Sequence, residues 1–152
     1  MPALPKVPEP GTVSFRMAKA LFALNTWLYR RTGGRLGSRV RGAPVLLLDH
    51  VGRKSGTTRT APVLYLEDGA DLVVVASRGG SDAMPAWFHN LMANPATTVQ
   101  VRSERRSVLA RQASDEERAR LWPRLVEMYR DYDAYQRRTE RQIPVVILSP
   151  AG

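Results

Sequence analysis

The 152-residue chain contains no cysteine and only two histidines, and three of its 23 basic residues are lysine. The absence of cysteine excludes disulfides, thiolate metal sites, iron–sulfur clusters and cysteine nucleophiles. Because His50 and His89 stand alone, a histidine-rich metal centre is also disfavoured. The sequence contains no Ser–His–Asp arrangement, H-E-x-x-H motif or Rossmann fingerprint. We therefore expect any chemistry to be that of an organic cofactor, with the protein supplying binding and orientation.

Long apolar runs are also missing. No stretch reaches the roughly 18 apolar residues of a membrane span. The proline-rich start, MPALPKVPEP, lacks the apolar region of a signal peptide, so we expect a cytoplasmic protein. Residues 1–12 are predicted to be a disordered lead.

Acidic residues are few, and the formal net charge is +9. Arginine binds carboxylate and phosphate through a planar fork, so an anionic ligand or surface is the first partner to consider. Arginine-rich codon usage is the alternative explanation. A nucleic-acid-binding module is disfavoured, because the basic residues are spread along the chain and no recognition motif occurs.

The hydrophobic pattern predicts a mostly β protein with peripheral helices, in which residues 34–152 form a single small barrel domain. Asp68-Gly69 is a turn signal, and residues 59–77 are expected to form one hairpin around it. Short apolar runs predict about six strands, near residues 44–48, 59–66, 72–76, 97–101, 107–112 and 143–148.

Helix signals lie outside these runs. Residues 13–33 are predicted to form an amphipathic N-terminal helix. A short helix is expected between Pro85 and Asn94. Ser114 begins a capping-box pattern for another helix, which is expected to break at Pro123.

Two glycine-containing loops could bind an anion. Gly52–Gly56 (GRKSG) lies between two predicted strands, and a hairpin could return Arg59 to the same anion. It is not a P-loop, so a solvated turn is the alternative. Arg78-Gly79-Gly80 follows an apolar strand, and Ser77 at its start could point into a pocket. An ordinary flexible loop is the alternative there.

Aromatic residues suggest where a ring system could bind. Trp87 could pack against an aromatic ring of a ligand, and Asn90 could form a hydrogen bond with that ring. The alternative for Trp87 is core packing, which is the commoner role of aromatic residues on helices. Tyr129, Tyr132 and Tyr135 recur every three residues and could line one side of a pocket. An amphipathic helix with an exposed aromatic edge is the alternative.

The order of these segments resembles the deazaflavin-dependent nitroreductase and quinone reductase family of actinobacteria, which uses coenzyme F420. The resemblance covers residues 22–149 and is carried by GRKSG with Arg59 and Pro62, by VVASRGG and by PAWFHNLMANP. It implies a split β-barrel and hydride transfer from the reduced deazaflavin to a quinone, nitroaromatic or activated enone. FMN is the alternative cofactor, since the same fold class includes FMN-binding proteins.

The resemblance also implies site residues. By match, the cofactor would contact Arg53, Lys54, Ser55, Arg59, Thr60, Ala61, Pro62, Val63, Leu64, Val75, Ala76, Ser77, Arg78, Ala86, Trp87, Phe88, His89 and Asn90. The substrate would contact Tyr129, Tyr132 and Tyr135. Ser77 or Tyr132 would donate a hydrogen bond to the acceptor oxygen as negative charge develops. Relatives often carry lysine at Arg78, tyrosine at Phe88 and, in one pattern, tyrosine at Leu64.

Two partner hypotheses concern the N-terminal helix. Residues 13–32 could contact a membrane surface, where a menaquinone-type acceptor resides. Alternatively, the helix packs on the barrel or on a second subunit of a homodimer. A non-catalytic protein that carries or sequesters the cofactor is a further alternative for the chain as a whole.

Overall fold

The computed structural model describes residues 13–40 and 42–151, so the predicted lead at 1–12 lies outside the described residues. The helices of this part are α1 (Val13–Thr32), α2 (Ala86–Ala93), α3 (Asp115–Met128) and α4 (Asp131–Arg138). Its strands are β1 (Arg39–Val40), β2 (Ala43–Val51), β3 (Thr58–Leu64), β4 (Leu66–Asp68), β5 (Asp71–Val75), β6 (Ala96–Val101), β7 (Glu104–Gln112) and β8 (Val145–Pro150).

The strands form one curled antiparallel sheet. The strand order in the sheet is β1-β2-β6-β7-β8-β5-β4. Strand β3 lies off this path and pairs with β2. Each strand pairing is antiparallel. The prediction of a mostly β domain with peripheral helices is confirmed, as is the expected pairing of residues 97–101 with residues 107–112.

The predicted hairpin over 59–77 is wrong in its pairing. The turn at Asp68-Gly69 joins only β4 and β5, where Leu66 lies opposite Val73. Strand β3 instead pairs along β2, so GRKSG is itself part of a hairpin connection. Tyr65 separates β3 from β4, and its backbone N–H donates to the Pro44 carbonyl oxygen at 3.1 Å. The alternating apolar pattern suits either neighbour, and this bend at Tyr65 decides between them.

Helix α3 begins as predicted but does not break at Pro123. Ser114 Oγ accepts from the Glu117 N–H at 3.2 Å, and Glu117 Oε1 accepts from the Ser114 N–H at 3.0 Å. Pro123 lies inside the helix on its exposed side, between the buried Leu121 and Leu125. Their packing offsets the backbone hydrogen bond that proline removes.

The two faces of the sheet carry separate apolar clusters. Strand β5 shows the alternation, since Leu72 and Val74 point into the barrel cluster with Phe88. Val73 and Val75 point to the opposite side. There they pack beneath α3 and α4, against Leu121, Leu125, Tyr132, Ile143 and Ile147. The period of two along the strand therefore divides the interior into a barrel core and a helix-covered core.

Helix α1 is anchored at its C-terminal end. Tyr29 is fully buried; its hydroxyl donates to the Gln100 carbonyl oxygen at 3.3 Å and accepts from the Arg102 N–H at 2.6 Å. Four apolar side chains nearer the N-terminus are not covered. Met17, Leu21, Leu24 and Trp27 are 53–65% exposed. The hypothesis that this face packs on the barrel is therefore not supported for these four side chains.

Asp68 ties the β4–β5 turn to α3. Its carboxylate accepts from Arg120 Nη2 at 2.9 Å and from Arg124 Nη1 at 2.8 Å. These hydrogen bonds lower the pKa of Asp68 from its ordinary 3.8 to about 2. Because the folded pKa lies below the unfolded one, the stabilisation is present above about pH 4 and is lost as pH falls through about 2.

We therefore expect Asp68→Asn to lower the free energy of unfolding at pH 7 by about 1 kcal/mol, after solvent screening of a surface pair. Urea unfolding from pH 7 to pH 2 would measure it, and the difference from the wild type should shrink towards zero at the acid end. Asp71→Asn, in the same hairpin, is the matched control. A constant difference across this range would contradict the ion-pair explanation.

Candidate active site

The segment Gly52–Thr57, here called the anion loop, is a closed turn between β2 and β3. The Gly52 N–H donates to the Thr57 carbonyl oxygen at 2.9 Å, and the Gly56 N–H donates to the Gly52 carbonyl oxygen at 2.8 Å. Gly56 has a φ of +70°, which other residues adopt rarely. Inside the turn, Ser55 Oγ accepts from the Thr57 N–H at 3.2 Å. The backbone is thus fixed by hydrogen bonds within the turn.

Three cationic side chains surround this turn and are exposed: Arg53, Lys54 and Arg59. None of them forms an ion pair within residues 13–40 and 42–151. Other arginines do pair with carboxylates: Arg30 and Arg105 with Asp49, Arg120 and Arg124 with Asp68, Arg106 with Glu104, and Arg111 with Glu117. The turn and the start of β3 therefore carry three cations without a compensating carboxylate, as an anion site requires.

Strand β3 leaves the anion loop and presents different residues to its two sides. Ala61 and Val63 pack against the barrel core. Thr60 and Pro62 face α1 across a cleft of about 710 Å³. The remaining lining residues of this cleft lie on α1: Ala23, Thr26, Trp27, Arg30 and Arg31. The cleft adjoins the stretch that the family resemblance assigns to the deazaflavin.

Asp49 joins two residues that line this cleft, Arg30 on α1 and Thr60 on β3. Its carboxylate accepts from Thr60 Oγ1 at 2.6 Å, Arg30 Nη2 at 3.1 Å and Arg105 Nη2 at 3.0 Å. Its backbone carbonyl oxygen accepts from the Thr97 hydroxyl. Sequence reasoning did not place Asp49, Trp27 or Arg30 at this cleft, because no short motif indicates contacts between residues so far apart in the chain.

The second predicted loop forms a 3₁₀ turn, Arg78–Gly80, which rests against α4. Gly80 has a φ of +81°, and a Cβ atom there would lie 2.7 Å from the Tyr135 carbonyl oxygen. Only glycine allows the two backbones to approach so closely. Arg138 Nη1 also donates to the Gly79 carbonyl oxygen at 3.2 Å. The loop with Ser77 and the helix with Tyr135 are therefore joined.

Arg141 fixes the same loop from beneath. Its guanidinium donates to the carbonyl oxygens of Ala76, Ser77 (3.0 Å), Ser81 (2.9 Å) and Ala83. Charge-assisted bonds to several carbonyls of one segment define its backbone path. Sequence reasoning did not single out Arg141, since it stands among other arginines near the C-terminus.

The three tyrosines form a cluster, although they do not share one helix. Tyr129 closes α3, whereas Tyr132 and Tyr135 lie on α4. Their ring centroids are 5.0–6.3 Å apart, and the Tyr129 and Tyr135 hydroxyl oxygens are separated by 3.2 Å. Tyr132 is 3% exposed, and burial raises the pKa of its phenol, which is therefore protonated at neutral pH.

The other predicted cofactor residues lie mostly in the interior. Trp87 and Phe88 on α2 pack in the barrel core, as does Ala76, and Val75 packs in the helix-covered core. Ala86 and His89 are exposed on α2. Leu64 contacts the helix-covered core and the packing around Tyr29. Their assignment to the cofactor stays a prediction from the resemblance.

Among the described residues, no group of three or more His, Asp or Glu side chains is placed to hold a metal ion. No helix of that part is both long and apolar enough to cross a membrane.

The curled antiparallel sheet with four helices is a split-barrel fold, which F420-dependent reductases of known structure share. The solved F420-H2-dependent reductase FDR-A is 37% identical, covers 70% of this chain and 94% of its own, and has a TM-score of 0.65. A solved domain-swapped dimer is 32% identical, with coverage of 88% and 99% and a TM-score of 0.67. The chain belongs to the F420H(2)-dependent quinone reductase family, whose sequence profile matches residues 21–150.

Curated relatives agree with this family. Rv3178 of Mycobacterium tuberculosis is 51% identical over 117 residues, which is 76% of this chain and 98% of the relative. The F420H(2)-dependent quinone reductase Rv1261c of the same species is 43% identical over 133 residues, with coverage of 85% and 89%. The predicted family, oxidoreductase class and F420 cofactor are thereby confirmed, and the FMN and nucleic-acid alternatives are not favoured.

Proposed function

We propose that this chain transfers a hydride from F420H2 to a quinone and holds the cofactor's phosphate and glutamate tail on the anion loop. The main support for this proposal is a group of exposed cations that have no carboxylate partner among the described residues: Arg53, Lys54 and Arg59. The tail is a polyanion, so the donor set fits its chemistry.

The deazaflavin ring would lie beside β3 and the loop that begins at Ser77. The cleft beside Thr60 and Pro62 supports this placement, because it adjoins the anion loop directly along one strand. Strand β3 would lie beside the ring, and the side chains of Ala61 and Val63 would anchor this strand to the barrel core. Residues 86–90 would contribute through α2, which packs on β2.

Reduced F420, when bound, supplies the hydride. The protein's task is then to hold the acceptor carbon at about 3–3.5 Å in the orientation for transfer. Ser77 makes no capping hydrogen bond to its 3₁₀ turn, and its hydroxyl is our first candidate donor to the acceptor oxygen. The protonated Tyr132 phenol is the second candidate donor, and Tyr129 and Tyr135 would border the acceptor.

A fluorescence titration with oxidised F420, with FMN as the comparison ligand, tests the cofactor assignment. We expect F420 binding that weakens with salt, and little FMN binding. Turnover of F420H2 would then be followed with a menaquinone analogue and a nitroaromatic. Preference for FMN would overturn the cofactor assignment, and tight F420 binding without turnover of either acceptor would indicate a carrier protein.

We expect Tyr132→Phe to lower turnover about tenfold at saturating quinone while the F420 dissociation constant stays near the wild-type value. The variant removes one hydrogen-bond donor and keeps the ring packing. Stopped-flow reduction of the quinone would measure the effect. Tyr65→Phe is the matched control, because it removes another buried phenol, from the barrel core. Wild-type hydride transfer in Tyr132→Phe would remove Tyr132 from the reaction and leave Ser77.

The exposed apolar face of α1 favours contact with a second copy of the chain. We propose that Met17, Leu21, Leu24 and Trp27 are covered in a homodimer, since a 32%-identical relative is a domain-swapped dimer. Light scattering should show a dimer for the wild type and a monomer for Leu21→Glu/Leu24→Glu. If the wild type is instead a monomer that sediments with anionic liposomes, and the variant does not, the face contacts membrane.

A further inference from the structure

The buried pair His50 and Asn90 lies directly behind the anion loop. Both side chains are 5% exposed. His50 lies on β2 and Asn90 on α2, and His50 Nδ1 is 2.8 Å from Asn90 Nδ2. Asn90 Oδ1 accepts from the backbone N–H of Arg53 at 3.1 Å. A continuous path of hydrogen bonds thus links the His50 ring to the backbone of a predicted tail-binding residue.

The backbone donor fixes the chemistry of this path. The Arg53 N–H requires an oxygen, so the Asn90 amide must turn Oδ1 towards it and Nδ2 towards His50. Nδ2 is a donor only, hence His50 Nδ1 must be the acceptor. Neutral His50 therefore carries its proton on Nε2. Both polar groups of the Asn90 amide are used inside the protein, which suits a residue that positions the loop.

We propose that His50 and Asn90 are positioning residues that hold the anion loop in its F420-binding conformation only while His50 is neutral. The inference rests on the proposed function, because it assigns the cofactor's tail to that loop. The structure alone carries the two hydrogen bonds and the orientation of the amide.

Protonation of His50 would disrupt the path. Its Nδ1 would become a donor facing the donor Nδ2 of Asn90. If the amide then turned over, Nδ2 would face the Arg53 N–H, and two donors would meet there instead. In either arrangement a buried hydrogen bond is lost, and in the second arrangement the bond that is lost is the one from the Arg53 backbone N–H. The anion loop would then be less well ordered and would bind an anionic ligand more weakly.

The surroundings keep His50 neutral at physiological pH. Burial lowers its pKa below the ordinary 6.5, and the positive charge of Arg59, its cross-strand neighbour on β3, acts in the same direction. Asp49 opposes them, although its carboxylate is already paired. The charged groups on the packed elements are Asp49 on β2, Arg59 on β3, Arg53 on the anion loop, and Arg30 and Arg105 through Asp49.

Histidine NMR on the ligand-free full chain tests the path without cofactor. We expect ring nitrogen shifts of the Nε2–H tautomer for His50 and a pKa below 6.5. The Arg53 amide signal should titrate together with His50. The chain has two histidines, so His89→Gln assigns the signals and should leave the Arg53 titration unchanged. An Nδ1–H tautomer, or an Arg53 amide indifferent to His50, would overturn the path.

The F420 dissociation constant, measured from pH 4.5 to pH 8, tests the consequence. His50→Gln keeps an acceptor that does not titrate, so its profile contains only the titration of the cofactor and of other groups. Relative to that profile, wild-type affinity should fall as the pH drops through the His50 pKa, and the loss should approach about tenfold, the equivalent of one hydrogen bond, once His50 is fully protonated. His50→Phe should bind about tenfold more weakly at all pH values.

Three results distinguish a failure of the positioning role from a failure of the proposed function. A wild-type profile parallel to that of His50→Gln, with normal affinity, overturns the positioning role and leaves the proposed function intact. A wild-type affinity that rises at acid pH relative to His50→Gln would show that His50 acts as a cation towards the tail, which also overturns it. Absence of F420 binding at every pH overturns the proposed function, and the NMR titration still decides whether the path exists.

Discussion

Replacing Lys54 and Arg59 together by alanine should weaken F420 binding about 100-fold at low salt, or about tenfold for each charge-assisted contact. Both side chains are exposed and have no ion-pair partner among the described residues, so their removal leaves no carboxylate unpaired. Stability should therefore change little. Fluorescence titration at about 20 mM and 500 mM salt measures the effect, and screening should reduce the difference at the higher concentration.

The control must remove positive charge elsewhere on the surface. Arg106→Ala is suitable, because Arg106 lies on β7 and pairs with Glu104. If a general attraction between a +9 protein and an anionic ligand explained binding, this variant would lose affinity in proportion to its one charge. Equal losses per charge in both variants would refute a localised tail site.

Local chemistry made the capping box at Ser114 and the turn at Asp68-Gly69 predictable, because each depends on residues within a few positions. The partner of β3 was not predictable in this way. Its apolar alternation fits β2 and β5 equally, and the bend at Tyr65 is fixed by a hydrogen bond to Pro44 that no spacing rule contains. The predicted helix break at Pro123 was wrong for a related reason. The tertiary packing of Leu121 and Leu125 keeps the helix intact although proline disfavours a helix locally.

The candidate site divides in the same way. The cations of the anion loop were visible in the sequence, because glycine, cation and hydroxyl stand together there. The residues that hold the site in place were not. His50 showed no partner in the sequence, and its contact with Asn90 joins positions 40 residues apart. Asp49 and Arg141 likewise act over more than ten residues, through contacts created by the sheet order.

Arg141→Met should strongly destabilise the protein. The substitution keeps much of the side-chain volume but leaves the carbonyl oxygens of Ala76, Ser77 and Ser81 without this donor. Part-buried carbonyls that lose a charged donor cost about 1–3 kcal/mol each. Some will regain water, so we expect a loss of about 3 kcal/mol and a fall in Tm of about 10 °C.

A loss of stability alone would not implicate the loop in catalysis, so the kinetic measurement decides. Because Arg141 holds Ser77 without touching the anion loop, hydride transfer should fall about tenfold or more at a temperature where the variant is folded, while F420 affinity changes less. Arg141→Lys should recover part of both losses, since one ammonium reaches fewer carbonyls than the guanidinium fork. Arg137→Met, an exposed arginine on α4, is the matched control. A variant that lost stability but transferred hydride at the wild-type rate would show that the position of Ser77 does not limit the reaction, and the role of hydrogen-bond donor to the acceptor would pass to Tyr132.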